Sequence, residues 1–218
     1  MENQTTVDLL QHEFGWLAEG YVLIAGVDEV GRGAFAGPVS AGAVVLPLDR
    51  ESLVEDLAGV RDSKACTALQ RQRLEPVIQE VAIAWAVADA SATEIDQYGI
   101  VSAARIAMMR AIEGLRPQLA GWPEALLIDG HYMALPLLGM IPQKAMKKGD
   151  QRSLSISAAS ILAKVHRDRL MVELAEQYPD YGFEFNKGYG TKHHRNQLNA
   201  LGPCSAHRRC FAPIASLL

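Results

Sequence analysis

Short apolar runs of strand length alternate along this chain with longer segments of helical periodicity. "YVLIAGVDE" and "SAGAVVLP" are continuous apolar stretches, and the glycines and Pro38 between them suit a turn rather than a helix start. "AIAWAVADA" predicts a third strand, "EALLIDG" a fourth and "GMIPQKAM" a fifth. Residues 7–19 predict a short amphipathic helix, and "TALQRQRLEPVIQEVA" has helical spacing interrupted by Pro76. "IVSAARIAMMRAIEGL" sets Ile100, Ala103, Ala107, Met108 and Ile112 on one side of a helix. "SISAASILAKVHRDRLMVELAEQY" predicts a long helix, followed by the glycine-rich loop "FNKGYGTKHH" and a short helical tail. Strands separated by helices predict an α/β fold with a mixed sheet.

Composition narrows the class without naming a chemistry. A chain of 218 residues suits one domain, here residues 21–218, with residues 1–20 as a helical N-terminal extension. No apolar run reaches the ~18–20 residues of a membrane span. The acid-bearing N-terminus lacks an export pattern, and three scattered cysteines (Cys66, Cys204, Cys210) fit free thiols in a reducing cytoplasm. Charge is uneven: residues 1–143 hold 9 Lys/Arg against 19 Asp/Glu, and residues 144–218 hold 12 against 6. That asymmetry fits one anion-facing side, although a solvated basic surface would look the same.

Two of the strands end alike, "IAGVDE" and "ALLIDG" each running apolar residues into an acid. Sites in open α/β sheets gather outside the carboxyl ends of strands, so parallel neighbours would bring Asp28 and Asp129 into one crevice. Carboxylates so placed raise one another's pKa or recruit a hard divalent cation such as Mg²⁺ or Mn²⁺. Adjacent strand residues face opposite ways, so Asp28 and Glu29 share one ion only if the strand ends between them. Asp150, in "KKGDQRS", offers a further ligand, with a helix-start acid favouring the dipole as the alternative. On the long helix Ser157, Ser160, Lys164 and Arg167 fall at i, i+3, i+7 and i+10, a face of hydroxyls and cations suited to phosphate oxygens, with a solvated stripe whose serines are packed for size as the alternative. Tyr189 stands in a basic loop, where an aromatic stacks on a sugar or base, or packs on its own domain. "GRGAFA" also matches the dinucleotide fingerprint, but a strand rather than a helix follows it, which argues against that use.

"GVDEVGRGAFAGP", "LLIDG", "KGD…SISAASILAKVHRD", "KGYGT" and "HRRCFAP", in this order, resemble the motifs of bacterial ribonuclease HII, the type 2 ribonuclease H family, across about residues 22–213. The resemblance implies a ribonuclease H-like fold: a five-stranded mixed sheet flanked by helices, with a C-terminal helical region. It implies cleavage of RNA in RNA–DNA hybrids and incision 5′ of single ribonucleotides in duplex DNA, leaving 3′-hydroxyl and 5′-phosphate ends. The family's four acids fall on Asp28, Glu29, Asp129 and Asp150, which would hold two Mn²⁺ or Mg²⁺ ions. Its turn falls on Gly31, Arg32 and Gly33, which would read the ribose 2′-hydroxyl. Its junction-sensing tyrosine falls on Tyr189, and its backbone-gripping positions on Ser157, Ser160 and Lys164; Lys64, in "DSKACT", is the remaining substrate-binding candidate. Ala34 and Phe35, residues 62–67 and Cys210 depart from the family pattern. The expected partner is nucleic acid, with no membrane and a monomer as the default. A non-catalytic nucleic-acid-binding protein is the competing reading, opposed by the presence of all four acids.

Overall fold

β1 (Ile24–Val30) runs through the middle of a five-stranded sheet of order β3-β2-β1-β4-β5, in a computed structural model that describes residues 9–217 except 62, 64, 65, 131–134, 136, 137 and 139. β2 (Val39–Val45) pairs antiparallel with both β1 and β3 (Ala84–Ala90), while β4 (Ala125–Asp129) and β5 (Gln143–Met146) lie parallel to β1 on its other side. The five predicted strands are therefore present, in a mixed sheet. β1 does not end between its two acids. Its ladder with β2 continues to Val30↔Ser40, whereas its parallel ladder with β4 stops at Val27↔Ile128.

Side chains alternate across the pleat, so each strand feeds two cores. On one face Ala25, Val27, Ala41, Ala43 and Val45 pack with Ala103, Ala107, Met108, Ile112 and Leu115 of a long helix, Ile100–Leu119. On the other face Val44 and Leu46 meet Leu154, Ala158, Ile161, Leu162 and Val165 together with Ile78 and Val81. In chain order the helices are α1 (Gln11–Ala18), α2 (Leu53–Asp56), α3 (Ala68–Val81), α4 (Ala92–Tyr98), α5 (Ile100–Leu119), α6 (Leu154–Gln177), α7 (Phe183–Asn186), α8 (Lys192–Leu201) and α9 (Ala212–Ala215). α3 runs unbroken through Pro76, started by a capping box between Thr67 and Gln70 and held by the burial of Ile78 and Val81.

α6 lies against the sheet at backbone distance. A Cβ on Gly26 would strike the main chain of Ser155 and Ile156, and one on Gly42 would strike the carbonyl of Ala159. The small residues of "SISAASILA" let helix and strands approach this closely, so the first half of α6 is buried nearly all round. α1 is tied to the start of α6. Buried Glu13 accepts bonds from the Ser153 hydroxyl (2.6 Å), the Ser155 hydroxyl (2.7 Å) and the Ser155 N–H (3.0 Å), and Leu154 N–H donates to Leu9 O. No helix among the described residues is long and apolar enough to cross a membrane.

Candidate active site

Asp28 and Asp129 end up at the carboxyl ends of adjacent parallel strands because both apolar runs stop there, one residue beyond the Val27↔Ile128 pair. Asp28 is 5% exposed, and its Oδ1 accepts the Glu29 N–H at 2.8 Å. Burial pushes its carboxyl well above the usual range, the charges of Glu29, Asp129 and Asp150 add to this, and a hydrogen bond from the Ser160 hydroxyl opposes it. The Ser63 and Ser160 hydroxyls lie 2.8 Å apart, a hydrogen bond in which either can donate.

Glu29 faces away from Asp28 along the pleat and bonds Arg32 at 2.9 Å. Burial raises its pKa and Asp129 adds to the rise, with Arg32 acting against them. Its Oε2 is buried without a hydrogen-bond partner among the described residues. Asp150 is 1% exposed in a 3₁₀ turn, Gly149–Gln151, ahead of α6 rather than in its first turn. The cap of α6 is Ser153, whose side chain accepts the Ile156 N–H, so the dipole role belongs to another residue. Gly149 N–H donates to Asp129 Oδ1 at 2.5 Å, which docks this turn on the end of β4.

These carboxylates act on one another, yet as placed they do not close into a coordination shell. Among the described residues no group of three His, Cys, Asp or Glu side chains is gathered to hold an ion. The donor set nevertheless fits a hard divalent cation in kind: oxygen ligands only, Asp28 and Glu29 disfavoured as bare anions by burial, and the buried Glu29 Oε2 without a donor among the described residues.

The other predicted residues divide by where they point. Gly31 is buried with φ +90°, while Arg32 and Gly33 are exposed beside Glu29. Ser157 and Ser160 face inward; the Ser157 hydroxyl donates to Asp150 O at 2.6 Å, so it shapes the acid's turn. Lys164 is half-buried, and Lys64 lies outside the described residues. Tyr189 is half-buried in the loop before α8, 5.5 Å from the Arg167 guanidinium. Arg167, expected on a face of phosphate donors, is 1% exposed. The carbonyls of Ala36, Pro38 and Lys187 draw it inward, which spacing along a helix does not reveal. Arg208, fully buried, grips the same turn through Arg32 O, Gly37 O and Pro38 O. Its only trace in the sequence was a place in the "HRRCF" motif.

Comparison with known proteins settles which family builds such a site. The family model described as Ribonuclease HII matches residues 25–213. The chain belongs to the ribonuclease HII family. It is 52% identical over 201 residues to the ribonuclease HII of Ruegeria sp. (strain TM1040), covering 92% of this chain and 82% of that one. It is 46% identical over 218 residues to that of Acidovorax sp. (strain JS42), covering 100% and 97%. Among solved structures it is similar to ribonuclease H2 from Pyrococcus horikoshii OT3, with a TM-score of 0.73, 25% identity and coverage of 89% and 96%. It shares the fold of Bst-RNase HIII solved in complex with Mn²⁺, with a TM-score of 0.65, 19% identity and coverage of 89% and 68%. The protein is thus a ribonuclease HII-family endonuclease with a ribonuclease H-like fold, acting on the RNA of RNA–DNA hybrids with divalent metal.

Proposed function

We propose that this enzyme, besides cleaving hybrids, incises on the 5′ side of single ribonucleotides in duplex DNA and so serves ribonucleotide excision repair. The reading is carried by one juxtaposition: Asp28 and Asp129 end neighbouring parallel strands, with the Asp150 turn docked on Asp129 and the Gly31–Arg32–Gly33 turn leaving the same strand as Asp28. Asp28, Glu29, Asp129 and Asp150 would hold two ions, Mn²⁺ or Mg²⁺. When bound, the ions supply a water of lowered pKa and neutralise charge on the departing 3′ oxygen, leaving 3′-hydroxyl and 5′-phosphate ends. Asp28 would be the central ligand, its carboxylate oriented by the Glu29 N–H. Ser157 holds the backbone of Asp150. The exposed turn at Arg32 and Gly33 offers main chain to the ribose 2′-hydroxyl, Tyr189 stacks on the nucleotide beyond it, and Lys64 and Lys164 contact phosphate. Residues 21–218 form the catalytic domain of an enzyme that works in the cytoplasm as a monomer.

The test is a DNA duplex with one ribonucleotide, incubated with Mn²⁺ and then with chelator. Nicking 5′ of the ribonucleotide, abolished by chelator and by Asp28→Asn while hybrid binding persists, is expected. Binding of this duplex without nicking it, by enzyme that still cleaves hybrid, would contradict the reading.

A further inference from the structure

The proposed function needs two readers in register, the turn at residues 31–33 and the loop carrying Tyr189, yet they lie more than 150 positions apart in sequence. One side chain touches both. Arg167, from the middle of α6, donates Nε–H to Pro38 O at 3.0 Å and an Nη2 hydrogen to Ala36 O at 3.2 Å, both just beyond the turn. Its Nη1 donates to Lys187 O at 3.0 Å, two residues before Tyr189, and its Cζ stands 5.5 Å from the centroid of the tyrosine ring. The space beside Gly31, where a Cβ would project, is filled by the Arg167 side chain. The loops also meet directly, with Phe35 N–H and Ala36 N–H both donating to Gly188 O at 2.8 and 3.3 Å.

Arg208 is an internal contrast. It is as deeply buried, but its guanidinium bonds Arg32 O at 3.0 Å and Gly37 O and Pro38 O at 2.9 Å each, all in the stretch that contains the turn. Burying two neighbouring cations is costly; burial and Arg167 together bring the pKa of Arg208 down to about 9. Main-chain carbonyls offset that cost, and they do so in a rigid plane. A guanidinium holds several acceptors at fixed angles, which an ammonium on a flexible stem does not.

We propose that Arg167 is a positioning residue for junction specificity, fixing the spacing between the turn that reads the ribose and the tyrosine that reads the next nucleotide. The guanidinium of Arg208, by contrast, hydrogen-bonds carbonyls of the turn's own stretch and none of the tyrosine loop among the described residues. The inference rests on the function proposed above, and its test separates the two. Arg167→Lys, Arg167→Gln and Arg208→Lys are compared on a duplex carrying one ribonucleotide and on a long hybrid, alone and with Tyr189→Ala. A misplaced reader costs up to about 100-fold. For both Arg167 variants kcat/KM is expected to fall on the order of 10-fold or more at the single ribonucleotide and far less on the hybrid. The loss should vanish when Tyr189 is already alanine. Arg208→Lys is expected to lower both substrates by a similar factor. A fluorotyrosine at position 189 gives a readout independent of either substrate: its ¹⁹F resonance is expected to shift and broaden in the Arg167 variants and to stay put in Arg208→Lys. Equal losses on both substrates, full additivity with Tyr189→Ala, or an unmoved resonance would each overturn the proposal. Wild-type enzyme that cleaves hybrid but never nicks the ribonucleotide duplex contradicts the proposed function instead, and the resonance then decides the role of Arg167.

Discussion

Tyr189 is held from behind by a cation and through its own carbonyl by a histidine, so its ring is presented rather than free to wander. Tyr189→Ala is expected to cost on the order of 1–3 kcal/mol in kcat/KM at an RNA-to-DNA junction, while phenylalanine keeps most of the stacking. Equal loss on a continuous hybrid would make the residue structural. Glu13 offers a stability test of the same kind. Glu13→Ala removes three hydrogen bonds and leaves the Ser153 and Ser155 hydroxyls with each other and the Ile156 N–H, a cost of about 3 kcal/mol by denaturant melting, whereas Glu13→Gln keeps the acceptor and most of the stability. Asp28 and Asp129 were legible because an acid at the end of an apolar run has few structural uses. Arg167 was misread because a cation at helical spacing looks like surface, and only tertiary structure reveals the carbonyls that solvate it. Glu13 was not legible at all, since its serine partners lie 140 and 142 positions away.

Among the elements, α6 decides the depth of the site. Its close approach to β1 and β2 brings Ser160 to Asp28, and that approach depends on Gly26 and Gly42. Gly42→Ala is expected to destabilise the fold by roughly 1–3 kcal/mol through overpacking, with a loss of cleavage as α6 lifts from Asp28. A mutant as stable and as active as wild type would contradict the packing argument. The sequence shows this helix as a helix and leaves its hydroxyl face open between phosphate binding and serines packed for size; the burial of Ser157 and Ser160 favours packing, because small polar residues also suit close backbone approach.

The C-terminal elements carry a pH signature. Tyr189 O can only accept, so His194 Nδ1 bears a hydrogen; Cys204 N–H can only donate, so His207 Nδ1 is bare. His207 Nε2–H therefore donates to His194 Nε2 at 3.0 Å, and both rings are neutral. Burial lowers both pKa values, that of His207 to about 4, with His194 adding to the effect on His207 and His193 to that on His194. With its folded value below the unfolded one, each ring contributes stability that is present above about pH 6.5 and lost as pH falls below it, in the case of His207 down to about 4. Melting temperature should drop across that window, and His207→Gln should flatten the slope. A wild-type profile without that slope would contradict the neutral chain.

For the whole molecule, the balance of 12 Lys/Arg against 6 Asp/Glu in residues 144–218 places the basic surplus in the part of the chain that also carries Tyr189. Hybrid affinity should fall steeply and log-linearly with salt as counterions are released, and a flat response would exclude that surface from binding. The α/β class and all five strands were readable from pattern alone. The β1 ending was not, because the antiparallel partner β2, which extends the strand past its acids, is a non-local choice. The account turns on Asp28, Glu29, Asp129 and Asp150 closing on divalent ions when substrate is present. Electron paramagnetic resonance counting bound Mn²⁺ on enzyme loaded with a hybrid tests this directly. Two ions per wild-type molecule, and the loss of both in Asp28→Asn with hybrid still bound, is the predicted result; unchanged Mn²⁺ occupancy in that variant would contradict it.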